Sequence, residues 1–345
     1  MFSLSEGFYS KGANIIMKSK IILLSSIALS TLALAGCGGS SKTKIGILQP
    51  VEHSALSAAR LGFQAALGLH GFDKDKVEFI YHNAGQSSSD LASLAKDLVG
   101  RCDMTFGIGT GAAQALKSAA IDKGKTNPIL FSAVTDPVGA GLVTSLQNGS
   151  GFITGTSDIN PVEAQVSLIR DINPDADKAA IMYTQTETNS KVQADMAKAE
   201  LEKEGFTVTI KTCSGPSDIS AVATALVAEQ GLDAIFVPTD NNIAANPSAI
   251  KSAVQGKGVI VVAGEESIMK ECGSITLSVD YTKLGNMTGD MAASILKGDK
   301  KAGEIPVGFM GKDECEYVCS SANATAAGVT LPAEIVAKCR DVSKN

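Results

Sequence analysis

Residues 103–134 read DMTFGIGTGAAQALKSAAIDKGKTNPILFSAV. An apolar, β-rich run, Asp103–Ile108, meets a glycine-rich turn. A helical pattern follows over Ala112–Ile121, then the breaker cluster Gly124–Pro128, and then a second β-rich run, Ile129–Val134. A strand, a helix and a strand joined by tight turns form the unit from which parallel sheets are built, because a parallel return needs a crossover of about a dozen residues.

The same unit recurs in both directions. Upstream lie candidate strands Lys44–Leu48 and Val77–His82, with helices over Leu56–Leu69 and Asp90–Val99; downstream, Gly151–Thr154 is the fifth strand. After Asn160 the rhythm restarts, with strands near Lys178–Tyr183, Thr207–Lys211, Ala234–Val237, Val259–Val262 and Ile275–Val279, and helices over Ser190–Glu204, Ile219–Ala228 and Lys283–Leu296. Such alternation predicts an α/β fold of two doubly wound parallel-sheet domains. The chain is expected to cross between them in three segments, around Thr156–Pro161, near Asp280-Tyr281 and near Pro306–Asp313. Domain 1 is then 44–156 with 281–308, and domain 2 is 157–280 with 309–345. Ligands of open parallel sheets bind beyond the carboxyl ends of the strands, so two facing sheets place a ligand between them.

Composition narrows the function. The chain has 345 residues, 44% hydrophobic and 19% charged, a folded composition. Lys and Arg number 30 against 36 Asp and Glu, for a net charge of −6, which disfavours nucleic acid as a partner. G-x-S-x-G and H-E-x-x-H are absent, and three histidines give little acid–base capacity, so no enzymatic activity is expected. GIGTGA (107–112) fits a loose dinucleotide pattern but follows the third strand rather than the first, and Gly124-Lys125-Thr126 has Ala119 where a phosphate loop has its first glycine. No cofactor is expected. No metal is expected either: there is no C-x-x-C pair, and His53, His70 and His82 are scattered.

The N-terminus reads as an export segment. Lys18 and Lys20 precede the apolar stretch Ile21–Leu34, too short for a span of about 20 residues, and small residues follow. Leu34-Ala35-Gly36-Cys37 resembles the lipobox of bacterial lipoproteins, which implies a signal peptide over 1–36 starting at Met17, a lipid on Cys37, a linker over 37–43 and a place on the extracytoplasmic face of the membrane. Six cysteines remain, and 15 pairings are open to them. Cys315 and Cys319 are candidates to pair with each other or with Cys339; buried free thiols are the alternative for the others.

Several segments carry a resemblance: EHSALSAARLGF (52–63), FSAVTDPVGAGLV (131–143), ITGTSD (153–158), Glu187-Thr188-Asn189-Ser190, PTDNNIA (238–244), VDYTKLGNMTGDMAASILKGD (279–299) and AAGVTLP (326–332). Together they resemble the substrate-binding lipoproteins of ABC importers, in the subgroup for tryptophan and other aromatic amino acids. The resemblance implies a type I periplasmic-binding-protein-like fold that closes on an amino acid and delivers it to an ABC permease with its ATPase subunit. A sensor that presents the same ligand to a signalling receptor is the alternative. The chain departs from the family's usual pattern at Ser57, where an acidic residue is usual, and at Gly264-Glu265-Glu266, in place of an aspartate-rich turn.

An amino acid brings a carboxylate and an ammonium, and a closed cleft must compensate both. Thr110, Gly111 and Ala112, at the start of a helix, offer backbone N–H groups and a hydroxyl to the carboxylate. Thr135, at the end of a strand, and Asp136 are further ligand-binding candidates, although Asp136 before Pro137 also has the chemistry of an ordinary helix cap. Asn189 and Ser190 open a helix facing the opposite domain. Asp240 is the first candidate for the ammonium, with Asn241 beside it, and Asp280 is the second. Glu265 stands in for the family's aspartate, and Glu52 and His53 follow the first strand at the cleft mouth.

Overall fold

The computed structural model describes residues 42–344. The export segment with Met17 and the lipobox Cys37 lie outside them. The first sheet is built from β1 (Thr43–Gln49), β2 (Val77–Asn83), β3 (Met104–Ile108), β4 (Ile129–Ser132) and β5 (Ile153–Ser157), with crossover helices α1 (Ser54–Leu69), α2 (Ser88–Arg101) and α3 (Thr110–Lys123). The second contains β6 (Lys178–Thr184), β7 (Thr207–Cys213), β8 (Ala234–Val237), β9 (Ile260–Ala263) and β10 (Ile275–Ser278), with α4 (Val162–Ile172), α5 (Thr188–Lys203), α6 (Ile219–Val227), α7 (Asn241–Ala244), α8 (Ser248–Val254) and α9 (Glu266–Cys272). The chain then re-enters the first lobe through α10 (Tyr281–Lys297) and β11 (Gly308–Phe309). It ends on the second with β12 (Glu316–Cys319), α11 (Ser321–Ala327), α12 (Ala333–Lys338) and β13 (Arg340–Asp341).

The sheet orders are β11-β5-β4-β3-β1-β2 and β13-β12-β10-β9-β8-β6-β7. All named pairings are parallel except β10 with β12. The predicted α/β class with two parallel-dominated sheets is therefore the fold. Three strands, β11, β12 and β13, are additional to the ten expected; they are two to four residues long and carry no alternation that marks them in sequence. β4 stops at Ser132, short of the predicted Val134, because Ala133 turns into the left-handed region at φ 57°. That costs an alanine about 1–2 kcal/mol and redirects the chain so that Thr135 meets Asp158.

Each central strand is buried on both faces, which explains its continuous apolar runs. In the first lobe Ile47 and Leu130 face α1 and α10, while their neighbours Leu48 and Phe131 face α2 and α3. The Phe63 ring of α1 stacks on Phe106 of β3 with centroids 4.1 Å apart. Burying such a side chain stabilises the lobe by about 1.5–3 kcal/mol.

Three segments connect the sheets: 158–161 after β5, 279–280 after β10, and 310–315 after β11. The first two are bound to each other. Asn160 Oδ1 accepts from Val279 N–H at 3.2 Å, and the Tyr281 hydroxyl donates to Asp158 Oδ2 at 2.8 Å. Both sheets direct their strand C-termini toward the space between the lobes, and that placement creates the site.

Candidate functional site

The loops after β1, β2 and β3 in the first lobe and after β6 and β8 in the second enclose a cavity of about 230 Å3. A smaller one of about 110 Å3 adjoins it and shares the walls Gln114, Thr188 and Asn189. Together they lie at the low end of small-molecule pockets, roughly 300–1,000 Å3. Pro50, Val51 and Leu91 give the larger cavity an apolar side.

Two long helices begin at these walls from opposite lobes. α3 starts at Thr110 after Gly109, whose φ of 90° swings the chain from strand into helix without a Cβ penalty. No side chain caps α3, and none caps α5 across the gap. The first N–H groups of a helix have no intrahelical partner, so both starts present free donors and a partial positive charge. Thr110 adds a hydroxyl that is 3% exposed, lines the smaller cavity and has no hydrogen-bond partner.

Glu187 supplies the opposite charge. It precedes α5, lines the larger cavity, and accepts from Asn241 Nδ2 at 2.7 Å and Asn242 Nδ2 at 3.3 Å. Burial, with the nearby Asp240 carboxylate, pushes its pKa up. Among the described residues Asp158, Glu187, Asp240 and Glu265 form no ion pair, although thirteen are present elsewhere. Of these, Glu187 is the one that lines the cavity, and a half-buried carboxylate without a counter-ion favours a cation beside it.

The two lobes are in direct contact. The Asn241 amide nitrogen is committed to Glu187, so its oxygen accepts from His53 Nε2 at 3.2 Å, and His53 Nδ1 lies 3.3 Å from Ser267 Oγ. Gln193 Nε2 reaches Thr135 Oγ1 at 3.4 Å. His53 thus stands between the first cavity and another of about 260 Å3 behind it, near the connecting segments. The charged groups of that rear cavity satisfy each other: Lys270 bonds Glu266 at 2.7 Å, and Arg340 bonds Glu266 and Glu316, each at 2.9 Å. Two buried groups without a partner, Gln86 Nε2 and Thr110 Oγ1, line the front cavities.

The other residues named from sequence divide accordingly. Gly111, Asn189 and Asn241 line the larger cavity; Thr110, Asp136 and Asn189 line the smaller. Asp136 opens a turn, not a helix, and accepts from Gly139 N–H at 2.8 Å. Thr135 is buried and donates to Asp158 Oδ1 at 3.1 Å. Ser190 is buried and donates to Thr239 O at 2.8 Å, pinning α5 to the loop after β8. Ala112 packs into the first lobe's core and lines neither cavity.

Asp240 is 1% exposed, and its carboxylate is taken by Thr184 N–H and Oγ1 at 2.6 and 3.0 Å and by Ile243 N–H at 3.0 Å. It caps α7 and clamps it to β6. Glu265 caps α9 through Ser267 and Ile268 N–H, at 2.6 and 2.9 Å. Asp280 caps α10 and borders the rear cavity. Glu52 is exposed, held by Arg60 at 3.3 Å and Tyr81 at 3.1 Å.

Glu187 and Gln114 were not among the predicted site residues. Glu187 is legible by position, directly after a strand and before a helix; Gln114, one turn into α3, carries no such signal. The six cysteines within the described residues are free thiols.

The family model for ABC transporter substrate binding proteins matches residues 44–343. A tyrosine-binding protein of Clostridioides difficile is 33% identical over 321 residues, covering 88% of this chain and 90% of that protein. A Streptococcus pneumoniae domain solved in complex with L-Trp is 32% identical with a TM-score of 0.81, covering 87% of this chain and 99% of that one. A ligand-free, open substrate-binding protein with adhesive properties from Clostridium difficile has the same identity and coverages but a TM-score of 0.65. At equal identity, the lobes of this chain lie closer to the arrangement of the complex, in agreement with the contacts through His53 and Gln193.

Proposed function

The chain belongs to the ABC transporter substrate-binding protein family, and from that premise we propose that it captures a single aromatic amino acid between its lobes and delivers it to an importer. The observation that carries this reading is the pairing of opposite charge preferences across two adjoining cavities: the uncapped start of α3 with the unpartnered Thr110 hydroxyl in one lobe, and Glu187 without a counter-ion at the head of α5 in the other. An amino acid zwitterion matches both. Its carboxylate takes the N–H donors and Thr110, its ammonium takes Glu187, and its side chain takes the apolar side formed by Pro50, Val51 and Leu91.

Ligand and lobes act together by differential affinity. The groups that hold the zwitterion come from both lobes, so they surround it only when the lobes are closed, and binding shifts the population to the closed form. In this reading, 44–156 with 281–308 and 157–280 with 309–345 move as two bodies about the three connecting segments. The partners are an ABC permease and its ATPase subunit, and Cys37 carries the lipid that tethers the protein to the extracytoplasmic face of the membrane.

The reading is tested by thermal unfolding of ligand-stripped protein against the twenty L-amino acids. Ligand at 100 times its Kd stabilises the native state by about 2.7 kcal/mol. A shift confined to Phe, Tyr and Trp is expected. A shift with non-aromatic amino acids alone replaces the ligand class, and no shift with any of them overturns the reading.

A further inference from the structure

Gln86, on the wall of the larger cavity, bears two separate costs at one residue. It follows β2 in a turn whose backbone is fixed by Gln86 N–H donating to Pro50 O at 2.9 Å. Its φ is 70°, in the left-handed region, and among the described residues only Ala133 shares that conformation without being a glycine. Glycine would adopt it without steric penalty. At the other end of the side chain, Nε2 is buried with no acceptor. A donor left unsatisfied in a wall that also contains Pro50, Val51 and Leu91 is completed by a ligand that brings an oxygen to it.

We propose that Gln86 is a specificity residue that donates a hydrogen bond to the ring hydroxyl of a bound aromatic amino acid, so that the site prefers tyrosine to phenylalanine. This rests on the amino acid reading above, in which the main-chain groups of the ligand are held by Thr110 and Glu187. The phenol oxygen has lone pairs for the amide N–H. A phenyl ring offers none and leaves Nε2 unpaired, whereas an indole N–H donates to the amide oxygen once the amide turns over, so the discrimination is against phenylalanine. Sites built to bond a hydroxyl reject the analogue lacking it, because the protein group is then stranded.

The experiment is calorimetric titration of ligand-stripped protein with L-Tyr, L-Phe and L-Trp, for the natural sequence, Gln86→Met and Gln86→Gly. Met keeps the length and the apolar stem without a donor, and Gly keeps the left-handed turn. The natural protein is expected to bind Tyr more tightly than Phe. Gln86→Met is expected to raise the Tyr Kd about tenfold and to change the Phe Kd less than twofold. Gln86→Gly is expected to lose Tyr affinity similarly while the ligand-free Tm rises by about 2 °C as the backbone strain is relieved. Equal loss for all three ligands in Gln86→Met, or no loss, overturns the inference and reduces Gln86 to wall packing. If the natural protein binds the three amino acids with Tyr no better than Phe, only the role of Gln86 falls. If it binds none of them, the amino acid reading falls with it.

Discussion

Asp158 and Tyr281 hold two of the segments connecting the lobes together: the tyrosine hydroxyl donates to Asp158 Oδ2 at 2.8 Å, both groups buried. Removal from water raises the Asp158 pKa to about 6, against the opposing effect of hydrogen bonds from Tyr281 and Thr135. A carboxyl raised in the folded state stabilises the fold below its unfolded pKa, near 3.8, and that contribution is lost as pH rises through about 6. Glu187 and Asp240 are raised as well and act in the same direction. The ligand-free protein is therefore expected to be more stable at pH 5 than at pH 7, by about 1 kcal/mol from Asp158. Asp158→Asn should flatten this difference in denaturant titrations at the two pH values; an undiminished slope would assign it to other groups.

Glu187→Gln separates fold from function. Removing a half-buried charge without a cationic partner is expected to leave the ligand-free protein equally or more stable, since burial and the nearby Asp240 already disfavour the ionised form there. Amino acid affinity should fall at least thirtyfold, as a charge-assisted hydrogen bond to the ammonium contributes about 2–3 kcal/mol. A desamino analogue of the ligand bypasses the pair and should bind both proteins alike. Because ammonium binding favours the ionised carboxylate, titrations near pH 7 in buffers of different ionisation enthalpy should show proton release in the natural protein and less in the variant.

His53 is the first-lobe side of the contact with Asn241 and Ser267. The hydrogen bond from His53 Nε2 to Asn241 Oδ1, about 0.5–1.5 kcal/mol, favours closure. His53→Ala is expected to open the ligand-free protein, seen as a larger radius of gyration in solution scattering, and to weaken ligand binding about two- to tenfold through a faster off-rate. Unchanged scattering together with unchanged affinity would show that closure does not depend on this contact.

The fold was legible because its signal is redundant. β1, β3, β4, β8 and β9 are buried runs in which either face suffices to mark a strand, and the glycine-rich turn at 107–111 fixes where a helix follows. β12, the antiparallel partner of β10, has only four residues and no such redundancy. The site was legible by location more than by role. Asp240 stands where a strand ends, but sequence does not show that Thr184 and Ile243 consume its carboxylate. Glu187 reads in sequence as one more acidic residue ahead of a helix. Whether a strand-end carboxylate caps or binds is decided by donors from other segments, which have no fixed spacing from it.

Two glycines in the first lobe give mutations of opposite sign. α10 crosses α1 so closely that a Cβ on Gly285 would stand 2.1 Å from Ala59 O and 2.9 Å from Ala59 Cα. Both are backbone atoms of a helix locked into the core, so the contact is relieved only by moving α10, whose start carries Asp280 and Tyr281. Gly285→Ala is expected to destabilise by about 1–3 kcal/mol or more. It should also weaken ligand binding, because displacing Tyr281 disturbs its bond to Asp158. Gly68, near the end of α1, has nothing within 4 Å of its Cβ position. There the same substitution gains helix propensity and restricts the unfolded chain, so Gly68→Ala is expected to stabilise by about 0.4–1 kcal/mol with ligand affinity unchanged. Equilibrium urea unfolding of the two variants checks both signs, and a neutral Gly285→Ala would show that the α1–α10 seam has room the structure does not give it.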